Sequence, residues 1–109
     1  MDTDSKRLAH ELLGWLEPLG GSIRAMFGGY CVYLDGKPVG LVNDGNVFVK
    51  RSSAEAKLAG LAELGPAYPG AKESWRLAPD ALQAEPLRVV AAIHATAAAL
   101  PARRPARRR

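Results

Sequence analysis

Two Asp-Gly dipeptides, Asp35-Gly36 and Asp44-Gly45, stand between short apolar runs and constrain this chain more than any other feature. Both central residues of a type I′ turn need positive φ, so Asp-Gly between apolar runs marks a tight hairpin. The flanking runs, Met26 to Leu34, Val39 to Val42 and Val47 to Val49, are rich in aromatic and β-branched residues. Two such turns in succession predict a three-stranded antiparallel meander.

Helical periodicity brackets the meander. Leu8, Leu12, Trp15, Leu16 and Leu19 fall on one helical stripe, with Asp4 or Ser5 as a cap and Gly20-Gly21 as the stop. After the meander, Ser52 stands three residues before Glu55, a capping-box spacing, and Leu58, Leu61 and Leu64 supply an apolar side. Gly65-Pro66 ends that second helix. Ala67 to Ala78 then reads as two short strands around a turn. Asp80 and Gln83 have cap spacing, and Pro86 suits a helix first turn. Val89, Val90, Ile93, Ala97 and Leu100 form the inner side of a last helix that stops at Pro101. The expected order is α-β-β-β-α-β-β-α. That is an α+β domain, a two-layer α/β sandwich with an antiparallel sheet and helices on one face.

The 109 residues suffice for one domain, expected over 1–100, followed by a tail over 101–109. At 48% hydrophobic and 24% charged, the chain is too apolar for a disordered one. No segment approaches the roughly 20 apolar residues of a membrane span, and the polar N-terminus argues against a secretory signal. A cytoplasmic protein is expected. The net charge of +4 is a property of the tail. Arg103, Arg104, Arg107, Arg108 and Arg109 account for five of the fifteen basic residues; without them ten basic face eleven acidic residues. With Pro101 and Pro105 interrupting it, the tail is expected to be extended and flexible. It is suited to weak, sequence-independent contact with nucleic acid.

Candidate chemistry is sparse. A single cysteine, Cys31, excludes an internal disulfide and a multi-cysteine zinc site. Paired with His10 or His94 it could form a thiolate–imidazole couple, yet it lies in an apolar strand where free cysteine behaves as a small hydrophobe. His94 reads as a buried, hydrogen-bonded core histidine and His10 as a solvated one. No metal and no cofactor are expected, and the carboxylates look like turn, cap and surface residues. Gly28-Gly29 lacks the lysine and spacing of a phosphate loop and reads as a bulge or a close backbone approach. Lys37, Lys50 and Arg51 do not make a basic channel beside Tyr30, Tyr33 and Phe48, so the body has no nucleic-acid signature.

The block Arg24-Ala25-Met26-Phe27-Gly28-Gly29-Tyr30-Cys31-Val32-Tyr33-Leu34-Asp35-Gly36 resembles the opening of the N-terminal domain of the TfoX/Sxy competence-regulator family. Gly40 to Gly45 and Val47 to Lys50 resemble that family's next strands, and Ser74 to Leu82 its aromatic strand and turn into the last helix. The resemblance runs from about Leu8 to Leu100. It implies helices on an antiparallel sheet and no catalytic residue. Arg24, Met26, Phe27, Gly28, Gly29 and Tyr30 are the family-motif candidates, for folding or for binding. The family's role is activation of competence genes with a cyclic-AMP receptor-type transcription factor. Cys31 stands where a glycine is usual, and the family's C-terminal helical domain is not in this sequence. The leading expectation is a non-enzymatic regulatory or protein-interaction module, docking a protein of the transcription machinery or a second copy. The alternatives are a homo-oligomeric accessory domain without ligand, and a small-molecule binder or enzyme with a pocket near Gly28, Gly29 and Cys31.

Overall fold

Asp35 and Asp44 both hold left-handed backbone, with φ 56° and 52°, and the glycines after them have φ 74° and 76°. Both tight turns therefore form as the dipeptides require. They join β2 (Gly29–Leu34), β3 (Lys37–Asn43) and β4 (Asn46–Val49) into the expected meander. The structure, a computed structural model, describes residues 3–26 and 28–101. Around the meander it places β1 (Gly21–Met26), β5 (Ala62–Pro66) and β6 (Glu73–Leu77) in one six-stranded sheet ordered β1-β2-β3-β4-β6-β5. Every pairing is antiparallel.

Helices α1 (Thr3–Leu16) and α3 (Pro86–Ala99), with the short α2 (Ala81–Ala84) between β6 and α3, cover one face. Tyr30, Val32, Leu34, Val42, Val47 and Val49 point toward them and share one apolar cluster with Leu12, Leu16, Val89 and Ile93. The fold is thus α+β, with helices packed on an antiparallel sheet. The core stripe of α1 runs through Ser5, Ala9, Leu12 and Leu16. Trp15, expected on that stripe, lies beside it, and α1 stops at Leu16, so Leu19 falls in a 3₁₀ turn over Glu17–Leu19; the two are 40% and 46% exposed. Ser5 is buried inside α1 instead of capping it, and its hydroxyl accepts a hydrogen bond from the Gly45 amide at 2.8 Å. The first turn of α1 thereby holds the β3–β4 turn. Pro86 opens α3 as expected.

Two features of the element order depart from expectation. An additional strand, β1, precedes the meander and pairs with β2 residue for residue from Gly21–Leu34 to Met26–Gly29. Its signal was weak because β1 alternates between exposure and partial burial at the sheet's edge, with Ser22 and Arg24 facing out. The expected second helix is a single 3₁₀ turn over Glu55–Leu58. Ala59 is extended and Gly60 left-handed, at φ 80°, so the helix cannot continue. Leu58 and Leu61 are buried as expected, but Leu64 lies on β5 and is 39% exposed. The Ser52 hydroxyl accepts from the Ala54 amide at 3.1 Å, an ST turn in place of a helix cap. The strand pair expected within Ala67 to Ala78 accordingly begins earlier, at Ala62.

Candidate functional site: an apolar groove on the open sheet face

Strand pairing assigns the faces. Arg24 is opposite Cys31, Cys31 opposite Leu41, Leu41 opposite Phe48, and Phe48 opposite Arg76. Directly opposed residues share a face, and these alternate with Val32, Val42 and Val49 of the core. The row therefore crosses the face that carries no helix. Phe48 is nevertheless only 5% exposed there. The connection between β5 and β6 also reaches this face. Asn43, also on this face, donates from Nδ2 to the carbonyl of Ala67 at 2.9 Å. That bond draws the connection back across β6 and β4 toward β3.

A groove of about 600 Å³ results. Met26 and Gly29 of the first hairpin bound one side, Leu41 and Asn43 of β3 form its floor, and Tyr68 stands over the other side. Tyr68 is 54% exposed and adjoins the buried Ala67, so its position follows from the Asn43 bond. The lining is largely apolar, with the Asn43 amide as its polar side-chain group and the Tyr68 hydroxyl at the rim. Such a surface can receive apolar side chains.

The candidate motif residues divide among separate tasks. Arg24 is exposed on β1 and faces away from the helices. Met26 lines the groove. Gly28 makes the β1–β2 turn with φ 80°. Gly29 is a close approach: a Cβ there would overlap the carbonyl oxygen of Val42. The glycine pair is thus a turn and a close approach, and the bulge lies elsewhere, between Val32 and Tyr33 opposite β3. Tyr30 packs into the core, and His10 meets it edge-on with ring centroids 6.0 Å apart. Phe27 lies outside the described residues, as do the five tail arginines, Arg103, Arg104, Arg107, Arg108 and Arg109.

Cys31 is buried within β2, as expected of a small hydrophobe. It faces away from α1 and α3, which carry His10 and His94, so the thiolate–imidazole couple is not assembled. Nor does Cys31 line the groove, which meets the anticipated pocket only at Gly29. His94 is exposed, not buried: it falls on the outer side of α3, between the core positions Ile93 and Thr96–Ala97. His10 is exposed as expected, and its Nδ1 donates to the Lys6 carbonyl at 2.8 Å. Among the described residues, no three His, Cys, Asp or Glu side chains gather as a metal site would require. No helix among them is long and apolar enough to cross a membrane.

A polar cluster beside β6 serves the fold. Arg51 grips Glu55 through Nε and Nη2 at 3.0 and 3.1 Å, and the Trp75 indole donates to the same carboxylate at 2.9 Å. Hydrogen bonds from Arg51 and then from Trp75 hold the Glu55 carboxyl down at about 2. The cluster fastens the 3₁₀ turn to the sheet.

Tyr68, Leu41 and Asn43 are the groove residues that the sequence did not reveal. Asn43 reads as part of a turn, and nothing in a period-two or period-3.6 pattern marks a connection that folds back over a sheet. The TfoX N-terminal domain profile matches residues 15–100, so the matched span contains the entire groove. The chain is also 40% identical over 80 residues to an uncharacterized 12.7 kDa protein in the trpE 5′ region of Spirochaeta aurantia. That match covers 73% of this chain and 68% of the relative.

Proposed function

The chain belongs to the TfoX N-terminal domain family, and from that premise we propose that it is a non-enzymatic regulatory module that docks a protein of the transcription machinery. The observation that carries this reading is the groove of Met26, Gly29, Leu41, Asn43 and Tyr68. It is built by the very hairpin that holds the family motif. It is apolar, accessible, and held in shape by the Asn43–Ala67 bond. A partner's aliphatic or aromatic side chain would fill it, with Tyr68 as an aromatic anchor of the kind that dominates interface energetics. The arginine tail adds sequence-independent attraction to phosphate when the partner sits on DNA. The family's role in competence-gene activation suggests the partner to try first, a cyclic-AMP receptor-type transcription factor from the same organism.

Fluorescence anisotropy of the labelled chain titrated with that factor, with and without promoter DNA, tests the reading. Saturable binding that weakens at least about thirtyfold in Tyr68→Ala supports it, hot-spot truncations costing about 2 kcal/mol or more. Absence of binding, or binding indifferent to Tyr68→Ala, overturns it. Tyr68 is exposed, so the variant keeps its fold.

A further inference from the structure

The two edges of the sheet are built differently. β5 is five residues long, ends in Gly65-Pro66, and carries Glu63, whose carboxylate meets Arg76 across the strand pair at 3.6 Å. Proline cannot donate, and short charged edges resist further pairing. Of these defences the β1 edge keeps only a single charge, Arg24. Its six residues, Gly-Ser-Ile-Arg-Ala-Met, contain no proline, no lysine and no carboxylate. Its ladder with β2 runs unbroken over all six, with no bulge to twist the edge away. No other backbone hydrogen bond among the described residues engages Gly21–Met26. A regular edge of this kind is a template for another strand.

We propose that β1 pairs antiparallel with β1 of a second copy of this chain, joining two sheets into one. The strand's own pattern specifies the register. Ile23 and Ala25 face the helix side, and Ser22, Arg24 and Met26 the open side. A two-fold axis at Ile23 keeps like faces together. It sets Ile23 against the partner's Ile23, covering a side chain that is only half-buried in one copy. It also sets Ser22 against the partner's Arg24. An axis at Arg24 would instead oppose two guanidinium groups, which is unfavourable. The folded body, with charges close to balance once the tail is set aside, offers little long-range repulsion between copies. This edge meets the groove only at Met26, the last residue of β1.

Sedimentation velocity of the full chain over a concentration series, with Ser22→Glu and Ser22→Lys beside the wild type, tests the pairing. Each substitution acts twice, once on either side of the axis, and Ser22 is exposed, so folding is spared. A reversible dimer is expected, tightened about 2- to 30-fold by Ser22→Glu and loosened by a similar factor in Ser22→Lys, from two cross-strand charge pairs. Amide exchange over Ser22–Met26 should slow as concentration rises. A monomer at every concentration overturns the proposal. So does a dimer that responds equally to both substitutions, or whose β1 amides stay unprotected.

Discussion

The Lys37 ammonium donates to the carbonyl of Ala97 at 2.8 Å and to that of Leu100 at 3.1 Å. One side chain at the start of β3 thus satisfies the Ala97 carbonyl in the last turn of α3 and the Leu100 carbonyl just past it, and places a positive charge at the negative end of the helix dipole. The contact spans 60 residues of sequence and ties the last helix to the meander. Lys37→Met keeps most of the aliphatic stem and removes both bonds. The expected loss is about 1.5–3 kcal/mol, the range for hydrogen bonds to charged groups. Urea unfolding measures it, as a lower midpoint at unchanged slope.

Glu55 confers a specific acid sensitivity. Its carboxyl is held at about 2 in the folded chain, against an ordinary value of 4.5, first by Arg51 and then by Trp75. A depressed folded value means that the contribution is complete above the unfolded value and fades as pH falls from 4.5 toward 2. Glu55→Gln should therefore flatten the stability profile in that window and leave its slope above pH 6 unchanged. Unfolding followed by Trp75 fluorescence at several pH values reads the difference.

The adjacent glycines of the first hairpin should respond differently to alanine. At Gly28 a Cβ meets open space, but the backbone is left-handed, so Gly28→Ala should cost about 1 kcal/mol of conformational strain. At Gly29 the Cβ would overlap the Val42 carbonyl oxygen across the β2–β3 ladder. Relieving that overlap moves backbone, not a side-chain tip, so Gly29→Ala should cost about 1–3 kcal/mol as overpacking does, and it should also reshape the groove. Thermal melts of the two variants, with partner titration of Gly29→Ala, separate these effects.

Asn43 is predicted to matter for the groove more than for the fold. Asn43→Ala removes the bond that brings Ala67 over the open face. Stability should fall by about 0.5–1.5 kcal/mol, an ordinary net hydrogen bond. Proteolysis or amide exchange should then show the 67–72 connection opening while β2–β4 stay protected.

How much of this was legible in the sequence depended on the kind of signal. Asp35-Gly36 and Asp44-Gly45 declared their turns because positive φ restricts residue choice severely. Pro86 and Pro101 bracketed the last helix for a similar reason. The β1 edge was not legible, since a half-exposed strand with Ser22 and Arg24 lacks a continuous apolar run. Leu58, Leu61 and Leu64 misled: three-residue spacing suits a helix, yet Gly60 breaks it and sends Leu64 into a strand. His94 misled through its apolar neighbours, because alanine-rich sequence blurs which side of α3 faces the core. The groove was half-legible. Its hairpin side carries the motif from Arg24 to Tyr30, while its far side depends on one long-range bond from Asn43.

The most direct test of the groove as a docking site is the amide NMR spectrum of the isotopically labelled chain during titration with the cyclic-AMP receptor-type factor. The predicted result is a footprint on Met26, Gly29, Leu41, Asn43 and Tyr68, with the outer surfaces of α1 and α3 unmoved. A footprint confined to the helices, or a spectrum unchanged at saturating factor, would contradict it.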